Sequence, residues 1–264
     1  MLLNSVVLVL REVLEAALLL SVLIAISRIL SLRLRWVLAA SAAGLTGSII
    51  FGLNMHRVSD LLEGVGQEVT NAMMQLAVFG LLVATVYLVA RCSRKLRPQG
   101  KTLPILMVIA VTLAITREGS EILIYTMGFW HMEDYLSSIG IGSLVGASIG
   151  LSVGILFYYL LLSQPTRLAL FLSTVLLMLI GSGMCAQAIA LLIQADWITV
   201  AGPLWDTSRI LPESSLPGQL LYALIGYEAS PSSREVMFYL GSMLAMTVAV
   251  IAGRRSIISK QVSQ

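Results

Sequence analysis

Charge, histidine and cysteine are scarce in this chain. Only 12% of its 264 residues are Asp, Glu, Lys or Arg, whereas soluble domains carry about a quarter. The two histidines, His56 and His131, lie at the ends of apolar segments, and the two cysteines imply no metal site. Cys92 and Cys185 lie at different depths of apolar segments, so we expect no disulfide between them. The chain has no nucleotide-binding motif, which excludes an ATP-driven mechanism.

Long apolar runs fill most of the sequence, 58% of which is hydrophobic. Seven segments have the length that a membrane-spanning helix needs. They lie at about 3–27, 36–54, 69–90, 103–129, 139–162, 168–194 and 235–253. We therefore predict an all-α integral membrane protein with seven transmembrane helices. No basic region precedes the first segment, and Glu12 and Glu15 lie where a signal peptide is apolar, so we expect no cleaved signal peptide.

The sign of the charge alternates along the chain. Most of the 17 basic residues follow the first, third, fifth and seventh segments, and most of the 14 acidic residues lie at the opposite ends. By the positive-inside rule, this pattern predicts an N-terminus outside and a C-terminus in the cytoplasm. The net charge of +3 then favours contact with lipid headgroups on the basic side, and we predict no nucleic-acid partner.

The sequence also predicts two similar halves. The first and fourth segments carry Arg-Glu-x-x-Glu, the second and fifth carry spaced small residues, and the third and sixth carry Gln75 and Gln187. Three helices per unit predict an inverted repeat, as in many transporters. The predicted arrangement is a single transmembrane domain over 1–264, with repeat 1 at about 3–90, repeat 2 at about 103–194 and helix 7 at about 235–253. The small residues are expected to hold the motif helices close together: Gly44, Ser48, Gly52, Gly142, Gly146, Gly150 and Gly154.

Six charged residues in two apolar segments are the most unusual feature of the sequence. They are Arg11, Glu12 and Glu15 in the first segment and Arg117, Glu118 and Glu121 in the fourth. Each ionised residue at a helix centre costs roughly 2.5–3.5 kcal/mol on insertion. Structural i,i+4 ion pairs would use one glutamate per helix and leave Glu12 and Glu118 surplus. The surplus carboxylates favour a site for a cation that crosses the membrane.

Carboxylates are hard oxygen ligands, which suit Mg²⁺, Ca²⁺, Mn²⁺ and ferric iron. Three other transport or binding functions stay open on the same residues: a transporter of a divalent cation such as Fe²⁺, Mn²⁺ or Pb²⁺, a proton-coupled carrier, and a receptor or scaffold subunit. An intramembrane enzyme would need a nucleophile or a catalytic histidine near the motifs. Neither is present, so we predict that the protein is not an enzyme.

A polar path is predicted to lead to these carboxylates. Glu68, Asn71 and Gln75 follow the i, i+3, i+7 spacing of one helix face, which is also typical of an amphipathic helix end. The candidate path comprises Glu63, Glu68, Asn71, Gln75, Glu133 and Asp134. The long stretch before the last segment is predicted to be an outer loop with a solvated face or a docking surface.

At the charged motifs the chain resembles the oxidase-dependent iron permeases, the high-affinity ferric iron transporters of fungi and bacteria. Their Arg-Glu-Gly-Leu-Glu hallmark is matched by "REVLE" and "REGSE". The Glu-Gly pair before their third helix is matched at Glu63 and Gly64, and the lead-in to their last helix at "GYEASPSS".

The resemblance implies import of Fe³⁺ with Glu12, Glu15, Glu118 and Glu121 as iron ligands and Arg11 and Arg117 as the motif arginines. It implies a ferroxidase of the copper oxidase or peroxidase type, or a periplasmic iron-binding protein, as the partner that supplies iron. No cofactor is expected to be bound permanently, because iron is the transported substrate. The expected location is the inner (plasma) membrane of a bacterium, as a multi-pass protein.

Overall fold

A computed structural model describes residues 2–92, 101–129, 133–200 and 202–262, with only the backbone described for 133–135 and 257–262. The described residues form α-helices and one short 3₁₀-helix, Leu61–Gly64. The α-helices are α1 Leu2–Ile29, α2 Arg35–Leu53, α3 Met55–Ser59, α4 Gly66–Cys92, α5 Thr102–Gly128, α6 Glu133–Leu162, α7 Thr166–Gln194, α8 Leu216–Ile225 and α9 Ser233–Val262. Each of the seven predicted segments corresponds to one long helix, most of them a few residues longer than predicted.

Six of these helices are long and apolar enough to cross a membrane: α2, α4, α5, α6, α7 and α9. Helix α1 has 28 residues, but Arg11, Glu12 and Glu15 interrupt its apolar sequence. The prediction of an all-helical membrane protein is confirmed at this level. Seven crossings and the orientation in the membrane stay predictions. Within the described ranges, β-pairing is limited to an isolated bridge between Pro203 and Ser232.

Contacts between helices show the relative directions of α1, α5 and α6. Gly142 of α6 lies beside Ser5 of α1, and Gly154 lies beside Ala17, so α1 and α6 run parallel. Hydrogen bonds join Ser5 to Tyr125 at 2.9 Å and Ser27 to Met107 at 3.5 Å, so α5 is antiparallel to α1. We call the end where α1 begins the acidic end and the end where it finishes the basic end, after the residues that the charge pattern places there.

Each small-residue helix closely approaches one motif helix, and neither is packed between the two motif helices. A Cβ added at Gly146 of α6 would lie 2.5 Å from the carbonyl oxygen of Val6 and 2.9 Å from the amide nitrogen of Leu10 on α1. Helix α2 approaches α5 in the same way, and a Cβ at Gly44 would lie 2.6 Å from Cβ of Ile115.

Each motif helix thus packs against the small-residue helix of the other predicted repeat. At the centre of the bundle, α4 packs against α7, where the buried Gln75 donates a hydrogen bond of 2.6 Å to Gln187. Helix α9 packs against both α4 and α7. A two-fold axis that relates α1 to α5 and α2 to α6 would produce these two pairs. The pairing therefore supports the prediction of an inverted repeat.

The apolar core lies between the motifs and the basic end. On α1 it extends from Leu14 to Leu30, and on α5 from Leu103 to Ala114, with Val78–Val89 on α4 and Leu170–Met184 on α7 facing them. The halves of the bundle towards the basic end are therefore filled with side chains. A pocket that is lined by motif residues opens towards the acidic end.

The stretch 195–232 differs from the predicted solvated loop, because it contains α8. Ser215 caps this helix by accepting a hydrogen bond of 3.1 Å from the amide of Gly218, and Gly226 ends it with φ of 65°. A helix of 10 residues is too short to span a membrane, so a search for spanning segments misses it. Its buried residues Gln219, Tyr222 and Ala223 share one face, and the helix packs against α1 and α7.

Candidate cation site

Helices α1 and α5 cross with their charged motifs at the same level. The i, i+3 spacing places Glu12 and Glu15 on one face of α1 and Glu118 and Glu121 on one face of α5. These faces meet, since Arg117 of α5 lies 3.5 Å from Glu15 of α1. The structure thus brings the charged groups of the two motifs into contact.

Three buried carboxyl groups form the centre of the site. Glu12, Glu15 and Glu118 can each offer an oxygen such that all three atoms lie within 4.8 Å of one another. The residues are 5%, 4% and 1% exposed. In the part of the chain that the structure describes, no other group of three His, Cys, Asp or Glu residues meets this distance. Ionised carboxylates this close and this well buried repel each other unless a positive charge or a shared proton lies between them.

Arg117 supplies positive charge inside the cluster. Its Nη1 atom lies 2.6 Å from Oε1 of Glu118 and 3.5 Å from Oε2 of Glu15, and its Nη2 atom lies 3.2 Å from Oε1 of Glu121. The residue is 6% exposed. A single guanidinium group therefore contacts three of the four motif glutamates, from both helices. Its planar fork of donors suits such multiple pairing.

Arg11 occupies a different position, although its motif has the same spacing. Its Nε atom lies 3.6 Å from Oε1 of Glu15, and its guanidinium carbon lies 3.8 Å from the centre of the Tyr222 ring. The side chain is 37% exposed. Stacking on an aromatic ring stabilises a cation by the ring quadrupole. Tyr222 of α8 thus holds Arg11 at the edge of the cluster. The arginines of the two motifs therefore have different environments.

Glu121 lies at the rim of the cluster. It contacts Arg117 and accepts a hydrogen bond of 3.2 Å from Nδ2 of Asn71 on α4. Its side chain is 27% exposed. A pocket of about 570 Å³ is lined by Arg11, Glu12 and Glu121 from the motifs and by Ser214 and Gln219 from the region of α8. The pocket also touches Leu3 and Asn4, so it lies towards the acidic end.

The structure places the residues of the candidate path in different environments. Asn71 reaches the cluster through Glu121, whereas Gln75 bonds to Gln187. Glu68 is half-buried, and its Oε2 atom has no hydrogen-bond partner. Glu63 is exposed and has φ of 63° in the turn before α4. The side chains of Glu133 and Asp134 lie outside the described residues.

Two residues of this site, Gln219 and Tyr222, were not predicted from the sequence. Both belong to α8, which was expected to be loop. A signal was available, because Ser215 followed by Pro217 is a typical helix start and Gly226 a typical helix end. Nothing in the sequence indicates that this short helix packs beside the first motif.

The structure defines a multi-pass helical membrane protein with a cluster of carboxylates enclosed between two of its helices. The iron permease FTR1 family matches residues 2–263, and the chain belongs to that family. The resemblance found in the two motifs is thereby confirmed. Members of the family are permeases, that is, transport proteins of the membrane, and the bacterial relatives and the apolar helices agree with a multi-pass protein of the inner membrane.

Two relatives show how far the similarity extends. The chain is 26% identical over 267 residues to a protein named "Ferrous iron permease EfeU" from Escherichia coli O6:H1 (strain CFT073), covering 94% of this chain and 95% of the relative. It is 30% identical over 148 residues to a protein of the same name from Shigella flexneri serotype 5b, covering 54% and 61%. No solved structure matches the chain.

Proposed function

We propose that this protein imports iron across the inner membrane, with Glu12, Glu15, Glu118 and Glu121 as the ligands. The observation that carries the proposal is the group of three buried carboxylates from two helices within 4.8 Å. Four glutamates and two arginines give the cluster a formal charge of −2, which favours a multivalent cation. Ionisable residues enclosed in a membrane protein commonly mark the path of an ion.

Iron enters from the acidic end in this proposal. The positive-inside rule orients that end outward and the basic end to the cytoplasm, with seven helices crossing the membrane. The pocket lined by Glu12 and Glu121 lies towards the acidic end, and the apolar core separates the cluster from the basic end. A trivalent cation moving inward gains roughly 7 kcal/mol per 100 mV of membrane potential, at about 2.3 kcal/mol per charge.

Arg117 acts as the internal counter-charge of the empty site. Its contacts with Glu15, Glu118 and Glu121 hold the carboxylates together before iron arrives. A cation bound between the same oxygens repels the guanidinium group, because both charges occupy a dry space of a few ångströms. We expect Arg117 to leave these contacts when iron binds and to return when iron is released.

Ferric iron is the first candidate for the bound ion, since all of its proposed ligands are hard oxygens. Fe³⁺ requires a supplier outside the cell, for which we propose a ferroxidase of the copper oxidase or peroxidase type or a periplasmic iron-binding protein. Ferrous iron is the second candidate, and it is favoured by the name of the two relatives, "Ferrous iron permease EfeU".

Uptake into liposomes tests both candidates. The purified protein is reconstituted, and radiolabelled iron is supplied as Fe³⁺ citrate or as Fe²⁺ under a reductant. Glu118→Gln is compared with wild type, because Glu118 is 1% exposed and contacts Arg117. Asp196→Asn is the matched control, since Asp196 is exposed and has φ of 57°, a conformation that Asn tolerates.

We expect uptake by wild type and by Asp196→Asn, and loss of uptake in Glu118→Gln with the protein still folded. Uptake of Fe³⁺ alone supports the ferric proposal, and uptake of Fe²⁺ alone replaces it with the ferrous one. Wild-type uptake in Glu118→Gln contradicts the site. If wild type imports neither form, the candidate ferroxidase is added, and continued failure contradicts the proposed function.

A further inference from the structure

Helix α8 enters the bundle from the acidic end and finishes deep inside it. A Cβ added at Gly183 of α7 would lie 2.9 Å from Cα of Gly226, the residue that ends α8. Gly183 precedes the end of α7 at Gln194 by about three turns, which corresponds to roughly 16 Å at 1.5 Å per residue. Non-helical backbone is tolerated at such depth where it is enclosed by protein or lines a cavity. Gly183 and Gly226 are in close contact, so protein encloses the inner end of α8.

The face of α8 towards α1 carries two polar residues at i, i+3 spacing, Gln219 and Tyr222. Tyr222 stacks against Arg11, as described above. Gln219 is 7% exposed, and its Oε1 atom is buried without a hydrogen-bond partner. Most buried polar side-chain atoms in native proteins have a partner, so an exception of this kind needs an explanation.

The Oε1 atom has almost no accessible surface, so a rotation of the side-chain amide is needed to turn this oxygen into the pocket beside Gln219. Arg11 lines this pocket of about 570 Å³. Gln219, Glu12 and Glu121 line the same pocket. These are three oxygen-bearing side chains from three different helices. A water molecule occupies about 30 Å³ in the liquid, so the cavity has room for a cation that still holds several waters.

We propose that Gln219, Glu12 and Glu121 form an outer cation subsite, where a partly hydrated multivalent cation is held before it passes to Glu15 and Glu118. This inference rests on the proposed function, since it concerns the same cation. Gln219 adds a hard amide oxygen without adding charge. The cation keeps part of its hydration in the pocket, so it is held less tightly there than by direct contact with the buried carboxylates of Glu15 and Glu118, which favours transfer inward.

Substitution of Gln219 tests the subsite. Gln219→Met keeps the length of the side chain and removes the amide oxygen, and Gln219→Glu replaces the amide by a charged donor. Gln164→Met is the control, since Gln164 is half-buried and lies at the basic end between α6 and α7, away from the pocket. Two quantities are measured on each variant: equilibrium binding of radiolabelled Fe³⁺ citrate to the purified protein, and the concentration dependence of uptake into liposomes. Both are repeated with Fe²⁺ under a reductant.

We expect Gln219→Met to raise the half-saturating iron concentration by about tenfold at an unchanged maximal rate. Gln219→Glu is expected to lower the half-saturating concentration and also the maximal rate, because the cation leaves the subsite more slowly. Gln164→Met is expected to behave as wild type. A half-saturating concentration in Gln219→Met equal to that of wild type, or a lower maximal rate alone, would overturn the subsite.

The failure of this inference is distinguishable from failure of the proposed function. If wild type imports iron and Gln219→Met does so with the same affinity, only the subsite is wrong. If wild type binds iron without importing it, the transport proposal is wrong, and the binding titration still decides the role of Gln219. If wild type binds neither form of iron, both proposals are overturned. Opposite shifts in Gln219→Met and Gln219→Glu exclude a folding defect as the cause, since a defect would weaken both variants.

Discussion

Nη1 of Arg117 on α5 lies 3.5 Å from Oε2 of Glu15 on α1, and this ion pair joins the two Arg-Glu-x-x-Glu motifs. The same guanidinium group contacts Glu118 and Glu121 of its own helix. Arg11, the arginine at the same position of the other motif, instead stacks against Tyr222. Two motifs with the same spacing thus have one arginine inside the cluster and one at its edge.

This inequality predicts different outcomes for the two arginine substitutions. Arg117→Gln leaves buried carboxylates without their counter-charge, and breaking a buried ion pair costs about 3–5 kcal/mol. Arg11→Gln removes a partly exposed charge, so we expect a loss of about 1 kcal/mol or less. Thermal unfolding in detergent measures the stabilities, and liposome uptake measures the transport. Equal losses in the two variants would contradict the asymmetry.

Because α1 and α6 are in close contact, we predict that one added methyl group between them destabilises the protein. Gly146→Ala places a Cβ 2.5 Å from a carbonyl oxygen of α1, and backbone there cannot move aside as a side chain can. We expect a destabilisation of about 1–3 kcal/mol from overpacking. Gly140→Ala on the same helix is the control, since no atom lies within 4 Å of the new Cβ. That variant should be neutral or slightly stabilising, because Ala is the better helix former. The same melting temperature in both variants would show that α6 does not approach α1 so closely.

Because Gln75 and Gln187 are hydrogen-bonded, we predict that the losses of stability on substituting each of them are not additive. Gln75→Leu leaves a buried carboxamide of Gln187 without its donor, which costs about 1–3 kcal/mol. The double variant Gln75→Leu, Gln187→Leu removes both polar groups, and we expect it to be more stable than either single variant. A double-mutant cycle from thermal unfolding measures this coupling. Additive losses would indicate that the two side chains do not interact.

The environment of Glu228, in the turn between α8 and α9, leads us to predict that the stability of the protein depends on pH. Burial raises the pKa of its carboxyl group to about 8, and the nearby charge and hydrogen bond of Glu235 and the charge of Glu213 act in the same direction. Arg11 acts weakly in the opposite direction. A carboxyl group with a raised pKa in the folded protein binds a proton more tightly there than in the unfolded chain. Stability is therefore lost as pH rises from about 4.5 towards 8.

Glu228→Gln removes this titration while keeping the size of the side chain. We expect its melting temperature to fall less than that of wild type between pH 5.5 and 8. Asp196→Asn, an exposed acid on the same side of the bundle, serves as the control and should keep the wild-type pH profile. Parallel pH profiles in Glu228→Gln and wild type would contradict the raised pKa.

Much of the architecture could be predicted from the sequence because a membrane imposes a simple rule. Backbone groups in lipid must be paired within a helix, so apolar runs of sufficient length predict helices. The predicted segment 168–194 corresponds to α7 at Thr166–Gln194, and 103–129 corresponds to α5 at Thr102–Gly128. The short α8 was missed because its 10 residues carry no membrane-length signal. Charge and spacing likewise identified Glu12 and Glu118 as candidate ligands, but not Gln219 as their neighbour.

The sequence by itself determined the helical class, the family and the presence of six charged residues in two motifs. These properties are local, since they depend on composition and on spacings within one helix. Only the tertiary structure decided that Arg117 lies inside the cluster and Arg11 at its edge, and that Gln219 lines the same pocket as Glu12. The physical reason is that two helices with the same motif become different when a third packs beside one of them. Helix α8 lies beside α1, and its register is set by the backbone contact of Gly226 with Gly183.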